Sequence, residues 1–275
     1  PVVNMARALA KKLWEPPAIG EAIVVSTERL MARVSVELRE NDPQTATVVG
    51  YGAIGQAVAA ALVRRGYRVF VTDKDPTKLI DAEKAGCIPM SRDDALRCSR
   101  MLFSCTGHTT IRPDEYSKLP SGCVLVNAAS GNHELGLHDV PYDFFTRRDP
   151  LAKNDADGQL RSHFRGVEVT LGDPISDEAM LHRVVRSDRG DHEVMVVRSG
   201  YVVNMIDGLP PECVQLVLGL LFQACVQALT ETKPGPRALA VRPTDFLVGR
   251  TRRSLAELGL SLENPDFSKL SSWTL

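Results

Sequence analysis

Apolar and polar positions are patterned most regularly between residues 45 and 127. Largely apolar segments at residues 46–49 and 68–72, and short continuous apolar runs at 101–105 and 123–126, are separated by stretches with helical spacing or helix punctuation. Runs of this length predict parallel strands covered on both faces. Between the first two, residues 53–65 carry an alanine-rich face and are stopped by Gly66. Asp75 and Pro76 supply an N-cap and a first-turn proline for a helix to Ala85, which Gly86 ends. Ser91 with Asp94 resembles a capping box for a short helix toward Cys98. This alternation predicts an α/β fold: a doubly wound, Rossmann-type parallel sheet with helices on both faces. Its ligands are expected at the carboxyl ends of the strands.

Outside this region the pattern changes. Residues 141–166 are polar, charged and weakly periodic, which predicts an insertion, taken to run to residue 183. Residues 184–186 and 194–198, separated by Ser187, Asp188, Arg189, Gly190 and Asp191, predict a small hairpin, and residues 201–204 a third strand. Residues 212–229 form a long apolar helix interrupted by Gln215, Gln223 and Gln227, too short and too polar to span a bilayer. Beyond Lys233 the chain is proline-rich, then basic at Arg250, Arg252 and Arg253, then weakly helical. Three parts are expected: a helical lead-in at 1–44, a nucleotide-binding domain at 45–211, and a C-terminal helix and tail at 212–275. The first residue is Pro1 rather than methionine, so an upstream domain is allowed for. The apolar helix needs cover, which predicts a homo-oligomer.

Composition narrows the function classes. Hydrophobic residues make up 44% and charged residues 24% of the chain, as in a soluble globular protein. A formal net charge of −1 gives no field to attract nucleic acid or an anionic membrane. The six cysteines show no metal-ligand spacing and lie largely in apolar runs. Reduced thiols in a cytoplasmic protein are expected, with no metal site.

Candidate chemistry concentrates after the first predicted strand, where Gly50, Gly52 and Gly55 form G-x-G-x-x-G. An apolar run precedes it, a helix follows, and Asp73 ends the next strand roughly 20 residues on, which completes the dinucleotide fingerprint. Gly50 permits the tight turn, Gly52 the approach of a pyrophosphate, and Gly55 close helix–strand packing. The helix start at Ala53 and Ile54 offers free N–H groups and a favourable dipole to the pyrophosphate. Asp73 suits ribose hydroxyls and repels a 2′-phosphate, so NAD is expected over NADP, with Lys74 beside it as the counter-signal. At neighbouring strand ends, Thr106, Gly107, Asn127 and Ser130 are small or polar residues fit to face a nicotinamide.

Taken in order, these segments resemble the cofactor-binding half of the S-adenosylhomocysteine hydrolase (adenosylhomocysteinase) family. Pro1-Val2-Val3-Asn4-Met5 resembles its Pro-Ala-Ile-Asn-Val opening segment, and Val49-Gly50-Tyr51-Gly52 its glycine loop. Val71-Thr72-Asp73-Lys74-Asp75-Pro76 is similar to its Val-Thr-Glu-x-Asp-Pro strand end. Thr106-Gly107 and Asn127 fall where it has its Thr-Gly and Asn-x-Gly-His segments, and Arg198-Ser199-Gly200-Tyr201-Val202-Val203-Asn204 resembles its Glu-Gly-Arg-Leu-Val-Asn. The resemblance implies a bound NAD that oxidises a substrate hydroxyl, allows elimination and water addition, and is restored when the ketone is reduced. It places Asn204 beside the nicotinamide and Lys11 on the substrate side, as a proton-transfer or substrate-orienting group.

Departures fall on substrate residues. The family's Lys-x-x-Phe-Asp-Asn reads Lys11-Lys12-Leu13-Trp14-Glu15-Pro16, its Gly-His-Phe-Asp reads Ala129-Ser130-Gly131-Asn132, and its Gly-His-Pro reads Leu209-Pro210-Pro211. Glu15 and His133 stand behind Lys11 as catalytic candidates; His133 lies on the strand-end loop that lost the family histidine. The expected function is therefore an NAD-dependent enzyme oxidising a hydroxyl carbon of a small polar substrate, in an internal cycle that retains NAD. A net dehydrogenase that releases NADH, and a catalytically silent NAD-binding regulator, remain alternatives.

Overall fold

The computed structural model describes residues 2–4, 8–34, 44–131, 133–137, 140, 153–154, 160–164, 167–171, 183–186, 192–205, 209, 211–230 and 238–240. The chain starts with strand β1 (Val2–Asn4) and a long helix, α1 (Leu9–Val34). There follow β2 (Thr45–Val49), α2 (Ala53–Arg64), β3 (Arg68–Thr72), α3 (Pro76–Lys84) and β4 (Ile88–Pro89). Next are α4 (Arg92–Cys98), β5 (Met101–Ser104), a 3-10 turn (Pro113–Lys118) and β6 (Cys123–Asn127). Short strands β7 (Lys153–Asn154), β8 (Leu160–Phe164), β9 (Val167–Leu171), β10 (Arg183–Arg186) and β11 (Glu193–Val196) lead to 3-10 turns at Val197–Gly200 and Val203–Met205. Helix α5 (Pro211–Thr230) and β12 (Ala238–Ala240) complete the described chain.

Among the described residues, seven strands form the main sheet in the order β10-β11-β6-β5-β2-β3-β4. Six run parallel, and β10 pairs antiparallel with β11 at the edge. From β2 the chain builds outward through β3 and β4, then returns to β2's other side with β5 and continues to β6 and β11. The winding reverses between β2 and β5, and a crevice opens beyond the carboxyl ends of such a pair.

Successive strand residues serve opposite faces. Val48, Phe103, Val124, Val126 and Met195 join one buried cluster with α1 and α2; Val49, Leu102, Leu125, Val194 and Val196 join another with Leu96 of α4, Tyr116 and Leu135. Each fully buried aliphatic or aromatic side chain contributes about 1.5–3 kcal/mol. The continuous apolar runs arise because neither face meets water.

Helix starts follow their caps. The Asp75 carboxylate accepts from Thr77 N at 2.9 Å to start α3, and Ser91 Oγ accepts from Asp94 N at 3.2 Å to start α4. Helix α1 lies along α2, with Gly20 against Ala57 and buried Glu21 taking ion pairs from Arg64 and Arg65.

Three local expectations change. Residues 201–204 do not add a strand: backbone pairing stops at Val196, and 3-10 turns follow. Strand β4 is a two-residue addition with no apolar run to announce it. Within the stretch expected as a polar insertion, β7, β8 and β9 form a separate antiparallel sheet. The basic cluster at Arg250, Arg252 and Arg253 and the weakly helical end lie outside the described residues.

Candidate dinucleotide site

The glycine turn sits where the winding reverses. Gly50 has φ +92°, a conformation strained for any side chain. A Cβ there would also stand 2.8 Å from the Cys105 carbonyl oxygen, and one on Gly55 would fall 1.8 Å from the Gly50 carbonyl oxygen. Around Gly52, by contrast, a Cβ would meet nothing within 4 Å, so the turn is open on its outer side. Gly52 is the N-cap of α2 and supplies no side-chain cap, which leaves the first N–H groups at Ala53 and Ile54 for a ligand.

Tyr51 anchors the turn from below. Its ring is buried against Cys87, and burial pushes its phenol up to about 12. Its backbone N–H donates to Asp73 Oδ2 at 2.5 Å, while Asp73 Oδ1 accepts from Asp75 N at 2.9 Å. The strand-end carboxylate is thus fixed beside the glycine turn, where ribose hydroxyls are held in this fold class.

Across the crevice, the loop after β5 is organised by a residue not expected as a site residue. Glu134 is wholly buried, and its carboxylate accepts from Thr106 N at 3.2 Å, Thr110 Oγ1 at 3.1 Å, Gly107 N and Ser104 Oγ. Burial raises its carboxyl above the usual range, although the Gly107, Thr106 and Thr110 donors pull the other way. Burial and the Glu134 charge also push the Cys105 thiol up. The sequence signal was faint: one acid inside an otherwise turn-like segment.

The expected residues divide into groups. Gly50, Gly52, Ala53, Ile54, Gly55 and Asp73 lie together on the turn and the neighbouring strand end. Thr106 and Gly107 face them across the loop, but the Thr106 hydroxyl is engaged by its own loop, donating to the His108 carbonyl at 2.6 Å. Asn127 is buried and donates to the Gly131 and Gly200 carbonyls at 2.6 and 2.7 Å, while its Oδ1 accepts from Ala129 N at 2.9 Å. Its amide therefore ties the β6 end to the turn after β11. Ser130 is exposed on the same loop. Lys11 and Glu15 form an ion pair with each other along α1, and α1 packs against the turn carrying Asn204. His133 is exposed, with its ring lying over Gly131. Among the described residues, no side-chain hydrogen bond or ion pair joins Lys11, Glu15 or His133 to the glycine-turn group.

The turn after β11 also bears on cofactor fit. Arg198 and Ser199 have φ +51° and +50°, left-handed values that cost a non-glycine residue about 1–2 kcal/mol each. Among the described residues, Ser199 Oγ and Asn204 Oδ1 are buried without a hydrogen-bond partner. Buried polar atoms in that state call for a ligand's polar groups or water. An open glycine turn, uncapped helix start, fixed acid and orphaned polar atoms together fit a dinucleotide.

Comparison with known proteins agrees. Residues 41–147 match the family described as S-adenosyl-L-homocysteine hydrolase, NAD binding domain. S-inosyl-L-homocysteine hydrolase of Methanosarcina acetivorans is 27% identical over 172 residues, 62% of this chain and 34% of the relative. Adenosylhomocysteinase of Thermotoga maritima is 29% identical over 132 residues, 46% of this chain and 30% of the relative. The chain thus spans about a third of the length of these curated relatives. A solved structure of D-lactate dehydrogenase from Aquifex aeolicus overlaps 42% of this chain and 40% of its own, at TM-score 0.34 and 24% identity. At the heart of this chain, residues 41–147 are thus similar to the NAD-binding domain of the S-adenosyl-L-homocysteine hydrolase family.

Proposed function

We propose that this chain is an NAD-dependent enzyme that oxidises a hydroxyl-bearing carbon of a small polar substrate and retains its cofactor through an internal redox cycle. The observation that carries the reading is the meeting of the glycine turn, Asp73 and the Glu134-organised loop at the reversal point, within a region similar to this family. NAD, when bound, supplies a two-electron oxidant that the same cycle can regenerate.

The chain's own residues then divide the work. Asp73 and the Gly50–Gly55 turn hold the adenosine and pyrophosphate groups. Asn204 and the strand-end loops present polar atoms to the nicotinamide. Lys11, held by Glu15, orients a substrate oxygen or transfers its proton, with His133 as the second candidate. The enzyme works as a homo-oligomer joined through the apolar face of α5. All six cysteines are free thiols, which suits the cytoplasm. No described helix is long and apolar enough to cross a membrane.

The test is to denature freshly purified protein and identify the released nucleotide by absorbance and mass. Stoichiometric NAD or NADH is expected. Protein that is empty yet binds NAD reversibly would replace the internal cycle with a net dehydrogenase. Retained NAD with no oxidation of any hydroxyl substrate would favour a silent, regulatory relative.

A further inference from the structure

The loop from Ser104 to Ile111 is built around one residue from outside it. The Glu134 carboxylate takes the Ser104 and Thr110 hydroxyls and the Thr106 and Gly107 N–H groups. Four donors match the roughly four lone-pair sites of an ionised carboxylate. The Glu134 carbonyl oxygen also accepts from Thr110 N at 2.7 Å and Ile111 N at 3.1 Å. Both ends and the apex of the loop are therefore gripped from one position. The loop in turn abuts the glycine turn, since a Cβ on Gly50 would touch the Cys105 carbonyl oxygen and the Thr106 methyl.

We propose that Glu134 is a positioning residue for the nicotinamide end of the cofactor, holding the Thr106–Gly107 backbone in the pose that shapes this wall of the crevice. The proposal rests on NAD binding at the glycine turn. It separates the two ends of the ligand: the adenosine end depends on Gly50, Gly52 and Asp73, whereas the nicotinamide end depends on the loop that Glu134 holds. Glutamine has the same shape but carries an amide donor in place of one oxygen. Whichever way it turns, it sets N–H against N–H, at Gly107 or at Thr106.

The test compares NAD with ADP-ribose, which lacks only the nicotinamide, by calorimetry on the full chain and on Glu134→Gln. For the variant, NAD affinity is expected to fall roughly tenfold, the usual scale for losing a hydrogen bond to a charged group. ADP-ribose is expected to stay within about twofold of wild type, because its contacts lie elsewhere. Equal losses for both ligands would reduce Glu134 to a general structural role and overturn the proposal, as would no loss for either. A wild-type chain that binds neither ligand overturns the cofactor assignment itself, and this proposal with it. Should Glu134→Gln fail to fold, Thr110→Val removes a single donor from the same carboxylate and is read by the same ratio.

Discussion

Two buried glutamates nineteen residues apart in sequence show how environment sets the behaviour of one side-chain type. Glu115 is held at about 2, below its ordinary 4.5, chiefly by the hydrogen-bonded Arg92 guanidinium, against the opposing effect of burial. Glu134 meets no cation in its hydrogen-bond set, and burial raises it instead. A carboxyl depressed in the folded state contributes stability above its unfolded pKa, and that contribution is lost as pH falls toward the folded value. The Glu115 contribution is therefore expected to vanish between pH 4.5 and about 2. Urea unfolding across that window should show a flatter acid limb for Arg92→Met; an unchanged limb would remove Arg92 as the cause. Glu134 has the opposite sign, contributing below the unfolded value and losing it as pH rises through its raised folded value. At this scale the glycines and Asp73 were legible because their backbone demands are local. Glu134 was not, because its donors come from a loop 24 to 30 residues earlier and only tertiary contact reveals them.

Among the elements, β2, β3, β5 and β6 could be read from sequence because strands covered on both faces leave largely apolar segments, and helices α3 and α4 carry clear caps. The exceptions are elements whose conformation depends on neighbours. Strand β4 exists by pairing with β3, and the chain after Val196 turns left-handed where Asn127 captures the Gly200 carbonyl. The helix pair α1–α2 offers a sharper test. A Cβ on Gly20 would stand 2.5 Å from the Ala57 carbonyl carbon, a backbone atom that cannot rotate away. Gly20→Ala is expected to lower stability by about 1–3 kcal/mol through overpacking, read by chemical denaturation. A neutral or stabilising result would mean that α1 shifts freely on α2, despite the Glu21 ion pairs with Arg64 and Arg65.

For the whole molecule, the open question is what covers α5. Trp14, Ala18 and Cys213 bury one of its sides against α1, while Leu218, Leu221, Phe222 and Leu229 remain exposed on others. If a second copy covers them, Phe222→Glu should convert an oligomer to a monomer by light scattering while NAD binding stays unchanged. A wild-type monomer would remove that role from the helix. The sheet's far margin has a different consequence. Strand β4 is only Ile88 and Pro89, and proline has no N–H to offer a docking strand. An open strand edge is ordinarily where one chain recruits another into a growing cross-β stack. Here that invitation is withdrawn by brevity and by proline, so crowding at this margin meets a blunt end instead of a template.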